Sequence, residues 1–191
     1  NLTESKRFTD TSGVGQLAKL INDDRQNIHF DEIQRLINHH TKIDFYPITH
    51  ATMHNDIYQN LSQDYQDYFL ASKRLRFSFA KLSSQDAIDS VKKLFQILDT
   101  YRILCASHLG TFGDDQINDY LSLAHRAFQK IPPSASPWFH GRVVMVRKNL
   151  YDLGLFNGDI GICLWGSSGL SVYFEGETLR MVAVDMLSDP L

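Results

Sequence analysis

The sequence predicts an α/β chain: a partial, helix-rich α/β domain followed by a small antiparallel β-barrel. Three observations carry this. Up to residue 130, apolar residues recur mainly at three- and four-residue spacing, the period of a helix face. Ile131-Pro132-Pro133-Ser134-Ala135-Ser136-Pro137 then places three prolines in seven residues, which cannot continue a helix and make a stiff connector. Beyond it the apolar period drops to two, with glycine-bearing turns between short runs. The expected domains are therefore 1–130, a connector over 131–137, and 138–191.

Each element has its own signal. Thr11 or Ser12 can cap a helix that carries Val14, Leu17, Ala18 and Ile21 on one face. Ile33, Leu36 and Ile37 repeat that pattern over 31–40, and 43–48 reads as a short strand. Residues 56–75 read as one long helix with Ile57, Tyr58, Leu61, Tyr65, Tyr68 and Phe69 along a stripe. Ser83 and Asp86 have capping-box spacing before a helix marked by Ala87, Val91, Leu94, Phe95 and Leu98. Residues 101–107 form an apolar run of strand length, broken by Gly110 and Gly113. Asp114 can then cap a helix bearing Ile117, Tyr120, Leu121, Ala124 and Phe128. After the prolines, strands are expected at 143–146, 160–164, 170–174 and 179–184. Asn157-Gly158, Gly166 to Gly169 and Glu175-Gly176 supply turn chemistry beside them. Short antiparallel strands in about 50 residues point to a barrel.

The 191 residues carry a formal charge of −3 and are 43% hydrophobic. This is soluble globular composition without the basic excess of a free-standing nucleic-acid binder, so any DNA contact must be local. Cys105 and Cys163, both in apolar strand-like runs, read as buried thiols of a reducing compartment. No stretch approaches the ~20 apolar residues of a membrane span, and no signal peptide is expected. The absence of a leading methionine is read as a trimmed or excised piece.

The site chemistry is sparse. From Trp138 to Leu150 the charges are Arg142, Arg147 and Lys148, with no acid, beside Trp138 and Phe139. Cations hold phosphates and rings stack on bases, which makes a single-strand contact strip. The other reading is a solvated sheet edge protected by its cations. Leu155-Phe156-Asn157-Gly158-Asp159 combines a tight turn with an apolar pair able to pack on another domain. In open α/β sheets ligands gather beyond strand carboxyl ends, so the 107–113 loop is a candidate too, with Ser107 and His108 at its start. His39-His40, His50 and His54 lack companions at ligand spacing, and no metal is expected. There is no phosphate loop and no nucleophile elbow.

Several stretches resemble the alpha subunit of exodeoxyribonuclease V, the RecD-type superfamily 1 DNA helicases. Gly141-Arg142-Val143-Val144-Met145-Val146-Arg147-Lys148-Asn149, with Gly154-Leu155-Phe156-Asn157-Gly158-Asp159-Ile160-Gly161, is the most specific. Ser5-Lys6-Arg7-Phe8 is similar to that family's motif IV, with lysine in place of tyrosine. Ser12-Gly13-Val14-Gly15-Gln16-Leu17-Ala18 follows in the same style. Arg102-Ile103-Leu104-Cys105-Ala106 with Gly110-Thr111-Phe112-Gly113 resembles its strand and loop, Thr111 standing where proline is common.

The resemblance implies that 1–130 is part of the second RecA-like lobe of a P-loop helicase motor and that 138–191 is a barrel inserted into it beside single-stranded DNA. Arg7 would reach the ATP γ-phosphate, a role suited to a planar, permanently charged guanidinium. Ser107, His108, Arg142, Arg147, Lys148, Asn149 and Asn157 would lie near DNA. ATP and Mg²⁺ would be cofactors of the full-length protein, held by Walker segments before Asn1. The fragment alone would bind neither and catalyse nothing. The implied partners are single- or double-stranded DNA and the beta and gamma subunits, with no membrane, in the bacterial cytoplasm and in double-strand-break repair and recombination. The competing expectation is a non-enzymatic interaction module whose barrel binds a partner through Leu155 and Phe156.

Overall fold

A computed structural model of the chain describes residues 12–21, 29–40, 52–133, 136–176 and 178–187. The chain divides into two compact units, Asn1–His50 and Ala51–Leu191. The strand expected at 43–48, Arg7 and Thr11 lie outside the described residues.

The first unit contributes α1 (Gly13–Ile21) and α2 (Phe30–His39). Ser12 caps α1: its Oγ accepts the Gly15 N–H at 3.1 Å. Asp31 and Glu32 put negative charge in the first turn of α2, where the helix dipole favours it. The Gln16 and His40 side chains meet at 3.2 Å. No residue of either helix is buried.

The second unit begins with α3 (Thr52–Asp64) and α4 (Gln66–Leu75). The single long helix expected from the apolar stripe is thus two, divided at Tyr65, whose φ of −90° and ψ of 2° leave the helical region. The ring of Tyr65 packs edge-on against Tyr101, 5.4 Å away, at the start of the 101–107 run. A 3₁₀ turn (Phe79–Lys81) leads to α5 (Ser84–Leu98). Its capping signal is realised: Ser83 Oγ accepts the Asp86 N–H at 3.2 Å and donates to its carboxylate at 2.6 Å. Ser83→Ala is expected to lower stability by about 1 kcal/mol, read as a fall of roughly 2–4 °C in thermal midpoint.

The apolar run 101–107 forms no strand. Leu104 is 93% exposed, and among the described residues no neighbouring strand pairs with this run. Residues 84–130 therefore read helix, loop, helix, and the topological argument for a ligand site at 107–113 loses its strand. Asp114 does not cap α6 (Asp114–Gln129): the N-cap is Gly113, with no side-chain cap, and the Asp114 carboxylate instead pairs with His108 Nδ1 at 2.9 Å. The Tyr58 hydroxyl donates to Thr111 O, and its ring lies 6.3 Å from Phe112 and 4.8 Å from Tyr120. This one side chain pins the 110–113 loop between α3 and α6.

α6 ends at Lys130, the only non-glycine residue with positive φ among those described. Beyond it Arg126 organises the proline connector. The guanidinium stacks 4.3 Å from the Phe139 ring and donates to the carbonyls of Pro132, Ser136 and Pro137. The carbonyls of Pro132, Ser136 and Pro137 thereby gain a donor that no local N–H supplies.

The four expected strands form one antiparallel meander, β1 (Val143–Met145), β2 (Ile160–Gly166), β3 (Gly169–Phe174) and β4 (Arg180–Ala183), in sequential order. Val143 faces Ile162, Cys163 faces Val172 and Val172 faces Val182 across the ladders. One face, with Ile162, Leu164 and Tyr173, packs on Tyr68, Phe69, Phe79, Val91, Leu94, Phe95 and Leu98. The other carries Val144, Val146, Cys163, Val172, Phe174 and Val182, packed with Leu155 and Leu187.

The expected barrel does not close: among the described residues β1 and β4 remain edges. Closure is unnecessary, because helices bury one face while the loop after β1 and the segment after β4 bury the other. Gly161 fits this sandwich tightly, since a Cβ there would meet Val172 Cγ1 at 2.5 Å and the Phe174 ring at 2.7 Å. Cys163 is fully buried, which pushes its thiol up to about 12; Cys105 is only partly covered, against the expectation of two buried thiols.

Candidate nucleic-acid interface

The loop joining β1 to β2 is a built structure. Val146 N–H donates to Asp159 O and Gly158 N–H to Val146 O, both at 2.8 Å, closing its neck. Halfway along, Leu150 and Leu155 form a two-way backbone bridge at 2.8 and 3.1 Å around a 3₁₀ turn, Tyr151–Leu153. Val146 and Leu155 are fully buried and Leu150 and Leu153 partly so, anchoring the loop on the second face of the sheet. Asn157-Gly158 makes the tight turn its composition predicts, with Gly158 at φ +95°. The burial of Leu155 corrects the expectation that it offers an apolar contact to a partner; only Phe156 of that pair faces outward.

With the aliphatic side chains inside, the polar and aromatic ones point outward. Arg147, Lys148, Asn149 and Asn157 are exposed, as are the rings of Tyr151 (74%) and Phe156 (52%). Among the described residues neither Arg147 nor Lys148 has an ion-pair or hydrogen-bond partner. Asn149 spans the loop: its Oδ1 accepts the Asn157 N–H at 2.9 Å and its Nδ2 donates to the Tyr151 hydroxyl at 3.0 Å. Asp159 Oδ2 accepts the Phe156 N–H at 2.8 Å. The two rings meet edge-to-face, 6.3 Å apart at 81°. Unpaired cations and exposed, braced rings on one loop are the chemistry that single-stranded nucleic acid needs. Tyr151 carried no sequence signal, because a lone tyrosine between Leu150 and Asp152 reads equally well as core.

The other site residues lie apart from this loop. Arg142 precedes β1 and Arg147 follows it, so roughly 16 Å of extended chain separates them. Arg142 is half-buried and donates to Pro137 O; burial and then the nearby Arg126 charge lower its pKa. Ser107 Oγ donates to Leu109 O at 3.0 Å within its own loop, and His108 pairs with Asp114 at the start of α6. An open cleft beside the β1–β2 loop is lined by Asp99, Arg102, Asp159 and Glu175. Its single cation is paired with Asp99 at 2.6 Å, so the remaining charge is acidic and unsuited to phosphate. Among the described residues no group of three or more His, Cys, Asp or Glu could hold a metal, and no helix is long and apolar enough to cross a membrane.

A buried polar seam fixes the chain where it enters β1. His140 Nδ1 accepts the Trp165 N–H at 2.9 Å while its Nε2–H donates to Ser72 O at 3.0 Å, a pattern only the neutral ring can make. Gln129 Nε2 donates to His140 O and to His125 Nε2, both at 2.8 Å. The Tyr68 hydroxyl donates to Gly141 O at 2.7 Å. Burial, with His140 beside it, lowers His125 to about 3. Burial also lowers His140 to about 4, opposed by its bond to the Ser72 backbone and assisted by the Arg76 charge. The seam ties α4 and α6 to the sheet.

Comparison with known proteins gives one consistent answer. The chain is 25% identical over 170 residues to the RecBCD enzyme subunit RecD of Haemophilus influenzae, covering 86% of this chain. It is 25% identical over 193 residues to that of Buchnera aphidicola, covering 97%. It is 37% identical over 93 residues to that of Mycobacterium tuberculosis, covering 48%. The chain is similar to RecD subunits over most of its length. The resemblance read from the motifs is thus shown by independent relatives. The matched segments span 26%, 29% and 16% of those RecD proteins. No family model matches.

Proposed function

We propose that this RecD-like chain is part of an ATP-dependent DNA helicase subunit, the alpha subunit of exodeoxyribonuclease V, and that its β1–β2 loop touches single-stranded DNA during translocation and unwinding. The observation that carries the reading is that one loop holds the unpaired Arg147 and Lys148 and the exposed rings of Tyr151 and Phe156. The acidic overall charge fits a segment that contributes one local contact while the rest of a larger protein supplies the remainder of the grip.

In this reading residues 1–130 belong to the second RecA-like motor lobe and 138–191 to an inserted β domain, joined by the 131–137 connector. ATP and Mg²⁺ serve the whole protein, and the contribution of this segment is Arg7, a guanidinium directed at the γ-phosphate. The partners are DNA and the other RecBCD subunits, in the bacterial cytoplasm. Ser107, His108 and Arg142 are secondary DNA contacts at most, since each is engaged locally.

The test is the salt dependence of oligo-dT binding by the full-length protein. Each phosphate contact on a single strand contributes about 0.7 to the slope of log affinity against log salt. Arg147→Ala with Lys148→Ala is expected to reduce that slope by about 1.4. An unchanged slope and affinity would remove the loop from the DNA path.

A further inference from the structure

We infer that Tyr151 is the base-stacking residue of the β1–β2 loop and that Asn149 is its positioning residue, an inference that rests on the single-strand contact proposed above. Tyr151 leaves 74% of its surface open, the larger exposure of the two rings. Its hydroxyl is tied to Asn149 Nδ2 at 3.0 Å and its ring is braced at 81° by Phe156, 6.3 Å away. A ring fixed at both its polar tip and its side loses little rotational freedom when a base lands on it, which is how preorganisation raises affinity. Perpendicular rings cannot sandwich a base between them, so one base stacks on the free face of Tyr151 while Phe156 supports it from the edge.

Asn149 is engaged at both ends of its amide, on Asn157 N–H and on the Tyr151 hydroxyl. It therefore acts through Tyr151 rather than on the strand. Arg147 and Lys148, immediately before it, hold phosphate, whereas the tyrosine recognises only that a base is present. Every base has a π-face, so this recognition is tolerant of sequence, as a translocating protein requires.

The experiment compares full-length variants by fluorescence anisotropy on oligo-dT and on an abasic oligonucleotide of equal length and charge. Tyr151→Ala is expected to weaken oligo-dT binding roughly 5- to 150-fold, the range for loss of one stacked base, and to leave the abasic strand within about twofold. Tyr151→Phe is expected to weaken oligo-dT binding in the parent protein and to add nothing in the Asn149→Ala background, because the hydroxyl then has no partner to lose. Equal loss on both oligonucleotides, or loss on neither, would overturn the stacking role. Additive losses for Asn149→Ala and Tyr151→Phe would overturn the positioning role. Arg147→Ala with Lys148→Ala, measured alongside, separates the levels: it is expected to weaken both strands, and if it weakens neither, the parent DNA reading fails instead.

Discussion

Gly141→Ala is expected to lower stability by about 4 kcal/mol, the largest single-residue effect anticipated in this chain. Two independent causes add. Gly141 has a φ of +86°, where a side-chain-bearing residue is strained by about 1–3 kcal/mol. A Cβ there would also meet His125 Cε1 at 2.7 Å and both Gln129 Nε2 and Ser72 Cβ at 2.9 Å, inside the polar seam. None of these atoms can withdraw without breaking a buried hydrogen bond, so overpacking contributes a further ~1–3 kcal/mol. For a domain of this size that is a fall of roughly 8–16 °C in thermal midpoint. Gly158→Ala is the internal control. Its φ is +95°, but a Cβ there meets nothing within 4 Å, so it carries the backbone strain alone. Equal effects at the two glycines would show that the seam is softer than its geometry implies.

Acid should act on the same seam. His125 and His140 are held neutral down to about 3 and about 4, whereas in the unfolded chain both protonate near 6.5. Their folded pKa values are depressed, so the unfolded state binds more protons between these limits and stability rises with pH there. The full contribution is present above pH 6.5 and is lost as pH falls from 6.5 towards 4. Lowering the pH from 7.5 to 5.0 is expected to remove about 2 kcal/mol for each ring, about 4 kcal/mol together. Urea unfolding at the two pH values measures it. The hydrogen bonds of His140 argue for the same sign, since protonating its Nδ1 would set it against the Trp165 N–H. A change below about 1 kcal/mol would mean that the rings are charged or hydrated in the folded protein.

The parts of this structure legible in the sequence are those where a local signal and the tertiary environment agree. Ser83 caps α5 because capping depends on residues three apart. The four strands lie where the period changes to two, since alternation survives in any sheet with two distinct faces. The 101–107 run was misleading because strand propensity needs a partner strand to pair with, and none of the described strands does so. The break of the long helix at Tyr65, whose ring meets Tyr101, leaves no mark on the apolar stripe, because that contact joins residues remote in sequence. Strand count and turn spacing suggest a closed barrel because they do not reveal that helices and a loop bury the two faces of an open sheet. Within the site, the cations Arg147 and Lys148 were visible as a charge pattern. Tyr151, the Asn149 bridge and the inward turn of Leu155 were not, because each depends on which way a 14-residue loop folds over the sheet.

Hydrogen exchange of the full-length protein, with and without saturating oligo-dT, tests the DNA-contact claim most directly. Slower exchange across residues 147–157, lost in the Arg147→Ala, Lys148→Ala protein, is the expected result. Unchanged exchange through that loop while DNA is bound and other segments become protected would contradict it.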